Sequence, residues 1–561
     1  MSTKNHPHII ENVEDWPISQ FYSNRPRVIE LLNDYTLDKF STMSSAEIES
    51  ALASTIYQEK IRVKTNPWKV DPANEYQYWK KLESQIKQNS NEDNKAEQNL
   101  IILKKIINRY SEEIAGNFMP KTFLFARKIL TSFFKRIYNR GREKGSWRLW
   151  GTKAILTDKI KCYGEIEKLR ALYQKGTVVI VPNHYSNLDS ILMGYVIDSK
   201  IGIPAFSYGA GLNLYDVELV AYFINRLGAY KLDRRKKNPV YLATLKTFSA
   251  VSLLEGVNSI FYPGGTRSRS GEFEKQIKYG LFGTMVEAQR NLCQRGSDRK
   301  IFVVPMTVGY HFTLEAKSLI QQHLAREGKE KFIKDSRDKD GGGSLFNFLK
   351  KMWSKDSEVL FNFGAPMDVF GNEVDAEGRS FDKRQRELNV ADYFKLQGEL
   401  TKDEQREYKY TSILGSKILQ SFKTEHIILG SHVLAFVAFE MFTLENRNLD
   451  IYSLLRLPSS ELKISYETIM LVVGDIIKVI REKEKAELLI CEESFTLGVE
   501  AFIERSLHYL GGYHKKKTLK ISKGIVQTED SKLLYYYHNR LVGYDLASAV
   551  KTTLAEAAVA V

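Results

Sequence analysis

Residues 176–197 read GTVVIVPNHYSNLDSILMGYVI, and this stretch decides which fold the chain can adopt. The run from Thr177 to Val181 is apolar and β-branched, which predicts a strand buried on both faces. His184 follows this strand, and Asp189 precedes a second apolar stretch that predicts a helix. The stretch therefore predicts a strand, a polar turn and a helix, which is a building unit of α/β folds.

Short β-branched or aromatic runs bounded by Gly or Pro recur along the chain and predict further strands. They are NSIFYPG at 258–264, KIFVVPMTV at 300–308 and EVLFNFG at 358–364. The segment 238–256 between them predicts a helix, with Pro239 in its first turn and Gly256 as its C-terminal cap. We predict an α/β domain over residues 151–365, with a mixed, largely parallel sheet flanked by helices. Ligands of such sheets bind beyond the carboxyl ends of the strands.

His184 and Asp189 are five residues apart, and two interpretations fit this spacing. On one continuous helix the two side chains would lie about 140° apart around the axis, but a strand-to-helix turn between them brings them together. The carboxylate would then orient the imidazole, as in a general base with its orienting acid. The alternative is that SNLD is a capping box, with Ser186 as N-cap and Asp189 at the third helical position.

Two later loops of the same region are rich in arginine. They are GAYKLDRRKKN at 228–238, with Arg234 and Arg235, and the glycine-rich YPGGTRSRSG at 262–271, with Arg267 and Arg269. Guanidinium groups bind phosphate in a bidentate manner, and glycine lets backbone amides approach an anion. A single basic cluster is typical of solvated surface. Two such loops together with the His184 loop in one α/β unit favour an anion site.

The regions that flank the α/β domain divide the rest of the chain into three parts. We predict a helical region at 1–115, a basic amphipathic segment at 116–150, and a linker followed by a mostly helical region at 366–561. The charged linker is DAEGRSFDKRQREL at 375–388. The segment HIILGSHVLAFVAFEMF at 426–442 predicts a buried core helix, because it is too short for a membrane span and carries His432 and Glu440.

The segment 116–150 combines basic and apolar residues at nearly helical spacing. Seven basic residues and no acidic one lie between Lys121 and Arg142. Such a helix suits the headgroup region of an anionic membrane, although a core helix with snorkelling Lys and Arg side chains is the alternative. The candidate membrane-binding residues are Arg127, Lys128, Lys135, Arg136, Arg140, Trp147 and Trp150.

The composition limits which binding partners and which cellular compartment we expect. The 561 residues carry a net charge of +14, which suits an anionic partner. The three cysteines are far apart, which indicates a reduced compartment and no structural zinc. The N-terminus is too polar for a signal peptide, and no uncharged apolar run of about 18 residues occurs. We therefore expect a peripheral protein at the cytoplasmic face of a membrane. We expect no nucleic-acid partner, because no recognition module is evident.

Four motifs in order over about 130 residues resemble those of the glycerolipid acyltransferases, which include glycerol-3-phosphate acyltransferases and 1-acylglycerol-3-phosphate acyltransferases. They are NHYSNLDS at 183–190, GAYKLDR at 228–234, YPGGTRS at 262–268 and IFVVPM at 301–306. The first is similar to the family's His-x4-Asp motif, and the third to Phe-Pro-Glu-Gly-Thr-Arg. LLYYYHNRLVGY at 533–544 is similar to a segment of the larger glycerol-3-phosphate acyltransferases.

The resemblance implies direct acyl transfer from acyl-CoA or acyl-carrier protein to the 1-hydroxyl of glycerol 3-phosphate. His184 would take the hydroxyl proton, and Asp189 would hold the imidazole. Apart from the resemblance, we expect amides near Gly265 to stabilise the oxyanion. The implied phosphate-binding residues are Arg234, Arg235, Gly265, Thr266, Arg267 and Arg269, and Val304 and Pro305 belong to the hydrophobic fourth motif. No metal and no redox cofactor is implied.

Two positions depart from the family pattern. Gly264 stands where the third motif normally has Glu, so the role of that carboxylate is either lost or taken by another residue, such as Glu272. Asp233 before Arg234 is more similar to the 1-acylglycerol-3-phosphate enzymes. Lysophosphatidate and dihydroxyacetone phosphate therefore remain alternative acceptors. An alternative of another class is a non-catalytic lipid-surface protein that keeps the scaffold.

Overall fold

The N-terminal third of the chain is helical. The computed structural model describes residues 5–68, 71–89, 94–139, 160–216, 218–327, 358–511, 514 and 516–559. The first six helices are α1 (Pro17–Ser23), α2 (Arg25–Ser41), α3 (Ser45–Thr65), α4 (Glu75–Asn89), α5 (Lys95–Ile114) and α6 (Pro120–Asn139). This part of the structure agrees with the helical region expected from the sequence.

A large mixed sheet follows. Its strands are β1 (Ile160–Gly164), β2 (Gly176–Pro182), β3 (Ser207–Gly211), β4 (Ala229–Leu232), β5 (Ser259–Ile260), β6 (Lys300–Tyr310), β7 (Val359–Phe363), β8 (Met367–Asp368), β9 (Glu373–Val374), β10 (Ser380–Phe381) and β11 (Glu387–Leu388). The main path runs β11-β10-β9-β8-β6-β2-β5-β3-β4, and β7 joins β6 to β1.

Parallel pairing dominates the part of the sheet that carries the motifs. β2 lies parallel to both β6 and β5, and β3 lies parallel to β5 and β4. β7 and β8 run antiparallel to β6. The predicted mixed, largely parallel sheet is thus confirmed, and the loops after β2, β4 and β5 leave the same edge.

Helices cover this sheet. They are α7 (Ile166–Tyr173), α8 (Asp189–Tyr195), α9 (Glu218–Ile224), α10 (Pro239–Leu254), α11 (Tyr279–Phe282), α12 (Thr284–Gln294) and α13 (Ala316–Arg326). The predicted end signals of α10 are confirmed. The Asn238 side chain accepts a hydrogen bond from the amide of Tyr241, Pro239 lies in the first turn, and Gly256 has a φ of 88° just past the end.

The N-terminal helices share a hydrophobic core with the α/β region. Trp16, Trp79 and Tyr110 are fully buried in the same cluster as Tyr241 and Phe248 of α10. The rings of Tyr110 and Tyr241 meet edge to face at 5.2 Å. Because these helices and α10 bury one another's apolar faces, the helical layer supports the loop between β4 and α10.

Residues 375–388 are not a linker, so that prediction is wrong. They form β10 and β11 with their connecting turns, and they extend the sheet beyond β9. The turns are closed by a repeated pair four residues apart. Asp375 accepts hydrogen bonds from the amide and the guanidinium of Arg379, and Asp382 does the same for Arg386. The charges that resembled a solvated linker therefore stabilise tight turns.

The C-terminal region is mainly helical. Its helices are α14 (Glu404–Thr424), α15 (Gly430–Glu445), α16 (Ile451–Leu454), α17 (Tyr466–Lys485), α18 (Val499–Gly511), α19 (Ser531–His538) and α20 (Ala547–Val559). Small sheets join β12 (Lys395–Leu396) to β13 (Glu399–Leu400), β14 (Ile427–Ile428) to β16 (Ile490–Cys491), and β15 (Lys463–Ser465) to β18 (Ile525–Gln527) and β17 (Lys520–Ser522).

The helix α15 confirms the predicted buried core helix. Val433, Val437 and Phe442 of α15 are buried in the cluster that also holds the β6 residues Val304 and Val308. Within the described residues, no helix has both the length and the apolar character needed to cross a membrane.

Candidate active site

His184 and Asp189 meet at the turn between β2 and α8. The distance from His184 Nδ1 to Asp189 Oδ2 is 2.8 Å. The same oxygen accepts hydrogen bonds from the amides of Tyr185 and Ser186, and Asp189 Oδ1 accepts one from the Tyr310 hydroxyl. Asp189 is completely buried, and its charge is compensated by these four contacts. A carboxylate at Nδ1 places the proton of neutral imidazole there, which leaves Nε2 as the acceptor.

Only one of the two hydrogen bonds of the predicted capping box is present. The Asp189 carboxylate accepts a hydrogen bond from the Ser186 amide, as a capping box requires. Ser186 Oγ, however, accepts one from the Leu188 amide and donates to Glu315, and α8 begins at Asp189. Ser186 is therefore not the N-cap. A single carboxylate closes the turn and orients His184.

The backbone of His184 is fixed by the third-motif loop, residues 262–274. Its amide donates to Glu274 Oε1 at 3.2 Å, and its carbonyl accepts from the Ser268 amide at 2.8 Å. The imidazole packs against the Tyr262 ring, with 4.2 Å between ring centroids. The His184 side chain remains 16% exposed, so a substrate can reach it.

A cleft of about 340 Å³ lies along the third-motif loop. Its walls include Gly264, Thr266, Arg267, Arg269, Glu272, Glu274 and Lys275 from the loop and its end, together with His323 and Arg326 of α13. The sequence prediction included neither His323 nor Arg326, because α13 carries no glycine-rich loop or motif that would single them out. The predicted residues Thr266, Arg267 and Arg269 thus line one cleft, and their binding of phosphate stays a prediction.

Arg267, Arg269 and Arg326 line this cleft, and Arg234 lies near enough for its charge to act on Arg269. Burial, followed by the charge of Arg267, lowers the pKa of Arg234. Burial also lowers the pKa of Arg269, and the nearby charges of Arg326, Arg267 and Arg234 add to that effect. Arg267 is tied to Glu315 at 3.0 Å. The guanidinium groups of Arg234, Arg267, Arg269 and Arg326 are thus near enough to act on one another's charge, an arrangement that can attract an anion.

Comparisons with known proteins match this region. A family model described as Acyltransferase matches residues 163–309, which include the His184 turn, both arginine loops and most of β6. Residues 163–309 therefore make up an acyltransferase domain.

Relatives named glycerol-3-phosphate acyltransferase match a longer segment of the chain. The protein from Pseudoalteromonas atlantica is 24% identical over 272 residues, which is 48% of this chain and 29% of that protein. The protein from Pseudomonas aeruginosa is 25% identical over 262 residues, or 46% of this chain and 27% of that protein. The matched segment thus covers less than a third of each relative. Among solved structures, the 1-acyl-sn-glycerophosphate acyltransferase PlsC from Thermotoga maritima covers 54% of this chain and 86% of its own, with 15% identity and a TM-score of 0.25.

The predicted site residues Arg235, Val304 and Pro305 do not line the cleft. The Arg235 guanidinium stacks on the Trp68 ring at 3.6 Å and contacts Asp233 and Asn66. The structure does not bring it to Arg267, because the N-terminal helices hold it. Val304 and Pro305 are buried within β6, where Pro305 pairs with Val181 of β2. Their acyl contact stays a prediction.

The glycine turn of the third motif modifies the oxyanion prediction. Gly265 has a φ of 67°, and its amide donates to the Tyr262 carbonyl at 3.1 Å. This amide is therefore not free to bind an oxyanion. A Cβ atom on Gly265 would lie 3.3 Å from Nζ of Lys278, an exposed cation that sequence reasoning missed.

Glu274, and not Glu272, lies beside Gly264. Glu272 pairs with Lys275 at 2.8 Å, whereas a Cβ atom on Gly264 would lie 3.0 Å from Glu274 Cγ. Burial raises the pKa of Glu274 to about 7, although the hydrogen bond from the His184 amide and the charge of Arg540 counteract the rise. The carboxyl group that lies beside Gly264 is thus that of Glu274, whereas the sequence had suggested Glu272.

The C-terminal segment 533–544 packs on the acyltransferase domain. The Arg540 guanidinium lies 3.2 Å from the ring centroid of Tyr185 and donates to Thr313 and Tyr536. The Asn539 side chain donates to the Ser270 carbonyl. The segment thus packs against both the His184 turn, through Tyr185, and the third-motif loop, through Ser270.

The helix α6 carries the described part of the predicted membrane segment. Arg127 is bound to Asp198 at 3.1 Å and to His8, so it anchors the helix to the protein. Lys128 is exposed. Leu124, Phe125 and Ile129 are 42%, 56% and 44% exposed. The side chains of Lys135 and Arg136, and residues Arg140, Trp147 and Trp150, lie outside the described part of the chain.

Proposed function

We propose that this protein transfers a fatty acyl group from acyl-CoA or acyl-carrier protein to the 1-hydroxyl of glycerol 3-phosphate, giving lysophosphatidate. The observation that carries the proposal is the His184–Asp189 pair, whose contact at Nδ1 leaves Nε2 as the proton acceptor. The backbone of His184 is bonded to Ser268 and Glu274, which line the arginine-rich cleft. The names of the relatives support the choice of acceptor.

In the proposed reaction His184 Nε2 accepts the proton of the 1-hydroxyl while the oxygen attacks the thioester carbonyl carbon. The buried carboxylate of Asp189 stabilises the imidazolium that forms. When the tetrahedral intermediate collapses, the carbon–sulfur bond breaks and the thiolate takes the proton from the imidazolium. Hydroxyl and thioester react directly, so no acyl-enzyme forms, and the scheme needs no metal or redox cofactor.

The phosphate of the acceptor would bind the cluster formed by Arg234, Arg267, Arg269 and Arg326. Its negative charge would relieve the repulsion among these guanidinium groups. Arg267 also contacts Glu315, whose other oxygen accepts from Ser186. Phosphate binding would thus be linked to the turn that carries His184.

An acceptor panel tests the reaction. Purified protein with labelled acyl-CoA is offered glycerol 3-phosphate, lysophosphatidate and dihydroxyacetone phosphate in parallel, and the products are separated. We expect glycerol 3-phosphate to give the highest kcat/KM. A higher value for either other acceptor would reassign the substrate. No transfer to any acceptor, with vesicle binding retained, would instead favour the non-catalytic lipid-surface protein.

We also propose that the protein binds peripherally to the cytoplasmic face of an anionic membrane through α6. Support comes from the exposed Leu124, Phe125 and Ile129, which lie on one helix with the exposed Lys121 and Lys128. Apolar side chains beside cations suit the interface of an anionic bilayer. Such docking would bring the protein to the lipid phase into which its product passes.

A further inference from the structure

Gly264 leaves a gap in the third motif, and one side chain fills it. A Cβ atom on Gly264 would lie 3.0 Å from Glu274 Cγ and 3.7 Å from Glu274 Oε1. Three bonds separate Cβ from a carboxylate oxygen in a glutamate, and they can cover that second distance. A glutamate at position 264 could therefore place its carboxylate where that of Glu274 lies. Gly264 has no left-handed backbone conformation that would exclude a side chain.

The carboxylate at this place contacts the backbone of His184. Glu274 Oε1 accepts the hydrogen bond of the His184 amide at 3.2 Å, while the Ser268 amide binds the His184 carbonyl. Asp189 fixes the imidazole of the same residue. Side chain and backbone of His184 are thus held by two different carboxylates.

The environment of Glu274 makes its ionised carboxylate unfavourable in free energy. Oε2 is buried, and it has no hydrogen-bond partner among the described residues. The negative charge of Asp189 opposes ionisation of Glu274, while the buried Arg540 favours it. A buried carboxylate without full compensation is destabilising, so its presence suits a role in the site better than a role in folding.

We propose that Glu274 is a positioning residue for His184, supplying from ten residues downstream the carboxylate that Gly264 cannot. The inference rests on the proposed acyl transfer and adds to it how the general base is held. Loss of Glu274 would let the His184 backbone shift, and small misplacements of a catalytic group lower turnover strongly.

The test compares Glu274→Ala, Glu274→Gln, Gly264→Glu and the double variant Gly264→Glu/Glu274→Ala. We expect kcat to fall roughly tenfold to a hundredfold in Glu274→Ala, with little change in the KM for the acyl thioester or in the KM for glycerol 3-phosphate. Glu274→Gln should keep most of the activity, because its amide oxygen can still accept from His184. Gly264→Glu alone should be impaired, because its Cβ meets Glu274. The double variant should recover at least about tenfold over Glu274→Ala, because its new carboxylate can reach the vacated place.

The control is Glu425→Gln, which changes another buried carboxyl with a pKa raised to about 7 by burial. Its side chain accepts a hydrogen bond from the Ala365 amide and, within the described residues, makes none with the His184 turn, so activity should be unchanged. A folded double variant no more active than Glu274→Ala would overturn the proposal. A rise in the KM for glycerol 3-phosphate without a fall in kcat would also overturn it, since Glu274 would then bind substrate.

Hydrogen exchange separates this inference from the proposed function. Peptides that span His184, measured by mass spectrometry, should exchange faster in Glu274→Ala and return towards wild type in the double variant. This readout needs no substrate, so it stands even if the acceptor panel shows no acyl transfer. Unchanged exchange in Glu274→Ala would contradict the positioning role by itself.

Discussion

At the scale of single residues, Asp189 explains why the opening stretch allowed two interpretations. The same carboxylate accepts from the Ser186 amide, as a capping residue does, and from His184 Nδ1, as an orienting acid does. The predicted strand-to-helix turn allowed this pair at a spacing of five residues, but the spacing alone left the capping interpretation open. Glu274 was not predictable, because the choice between it and Glu272 depends on how the chain turns at Gly271, which has a φ of 95°.

The pKa of Glu274 makes the stability of the protein depend on pH in a definite direction. Burial raises this pKa from 4.5 to about 7, so between these values the folded state holds a proton that the unfolded state has released. Stability is therefore lost as pH rises through this range. Glutamine does not titrate in this range. We therefore expect the unfolding free energy of Glu274→Gln, relative to that of the wild type, to be higher at pH 8 than at pH 5 by on the order of 1–3 kcal/mol.

Denaturant unfolding at both pH values measures this difference. Glu425→Gln serves as the comparison, because burial also raises the pKa of Glu425 to about 7 and the same trend is expected. A Glu274→Gln effect that is equal at pH 5 and pH 8 would show that the carboxyl ionises as freely in the folded chain as in the unfolded one.

At the scale of elements, periodicity predicted those that are long or strongly apolar. The strands β2 and β6 and the helices α10 and α15 lie where their apolar runs and end signals indicated. The short strands β10 and β11 were missed, because two-residue strands show no alternation and their turns are closed by charged pairs such as Asp375 with Arg379.

The helix α6 carries both a charged side chain that anchors it to the protein and apolar side chains that are exposed. Arg127 is the anchoring residue, because it forms an ion pair with Asp198. Its replacement would therefore disturb folding as well as any membrane contact. We expect Phe125→Ser/Ile129→Ser to bind anionic phospholipid vesicles at least about tenfold more weakly, since two apolar side chains no longer enter the interface.

Vesicle co-sedimentation at low salt measures that binding. The matched control is Leu488→Ser, which removes a side chain of similar exposure, 51%, from the C-terminal region, and it should leave binding unchanged. Equal binding of wild type and the α6 variant would show that this helix face is ordinary surface.

At the scale of the whole molecule, regions distant in sequence build one site. The N-terminal helices hold Arg235 and the loop after β4, and the C-terminal segment places Arg540 against Tyr185. Gly271 is packed so closely on this segment that a Cβ atom would lie 2.2 Å from the Tyr536 carbonyl. Sequence motifs located the site within residues 183–306, but no local pattern could show which distant residues complete it.

The central claim is that His184 is the general base of an acyl transfer, and the turnover of His184→Ala tests it most directly. With labelled acyl-CoA and glycerol 3-phosphate at saturation, we predict a fall in kcat of at least about a hundredfold while the variant stays folded, as expected for the loss of a general base. Undiminished turnover in the folded variant would contradict the claim.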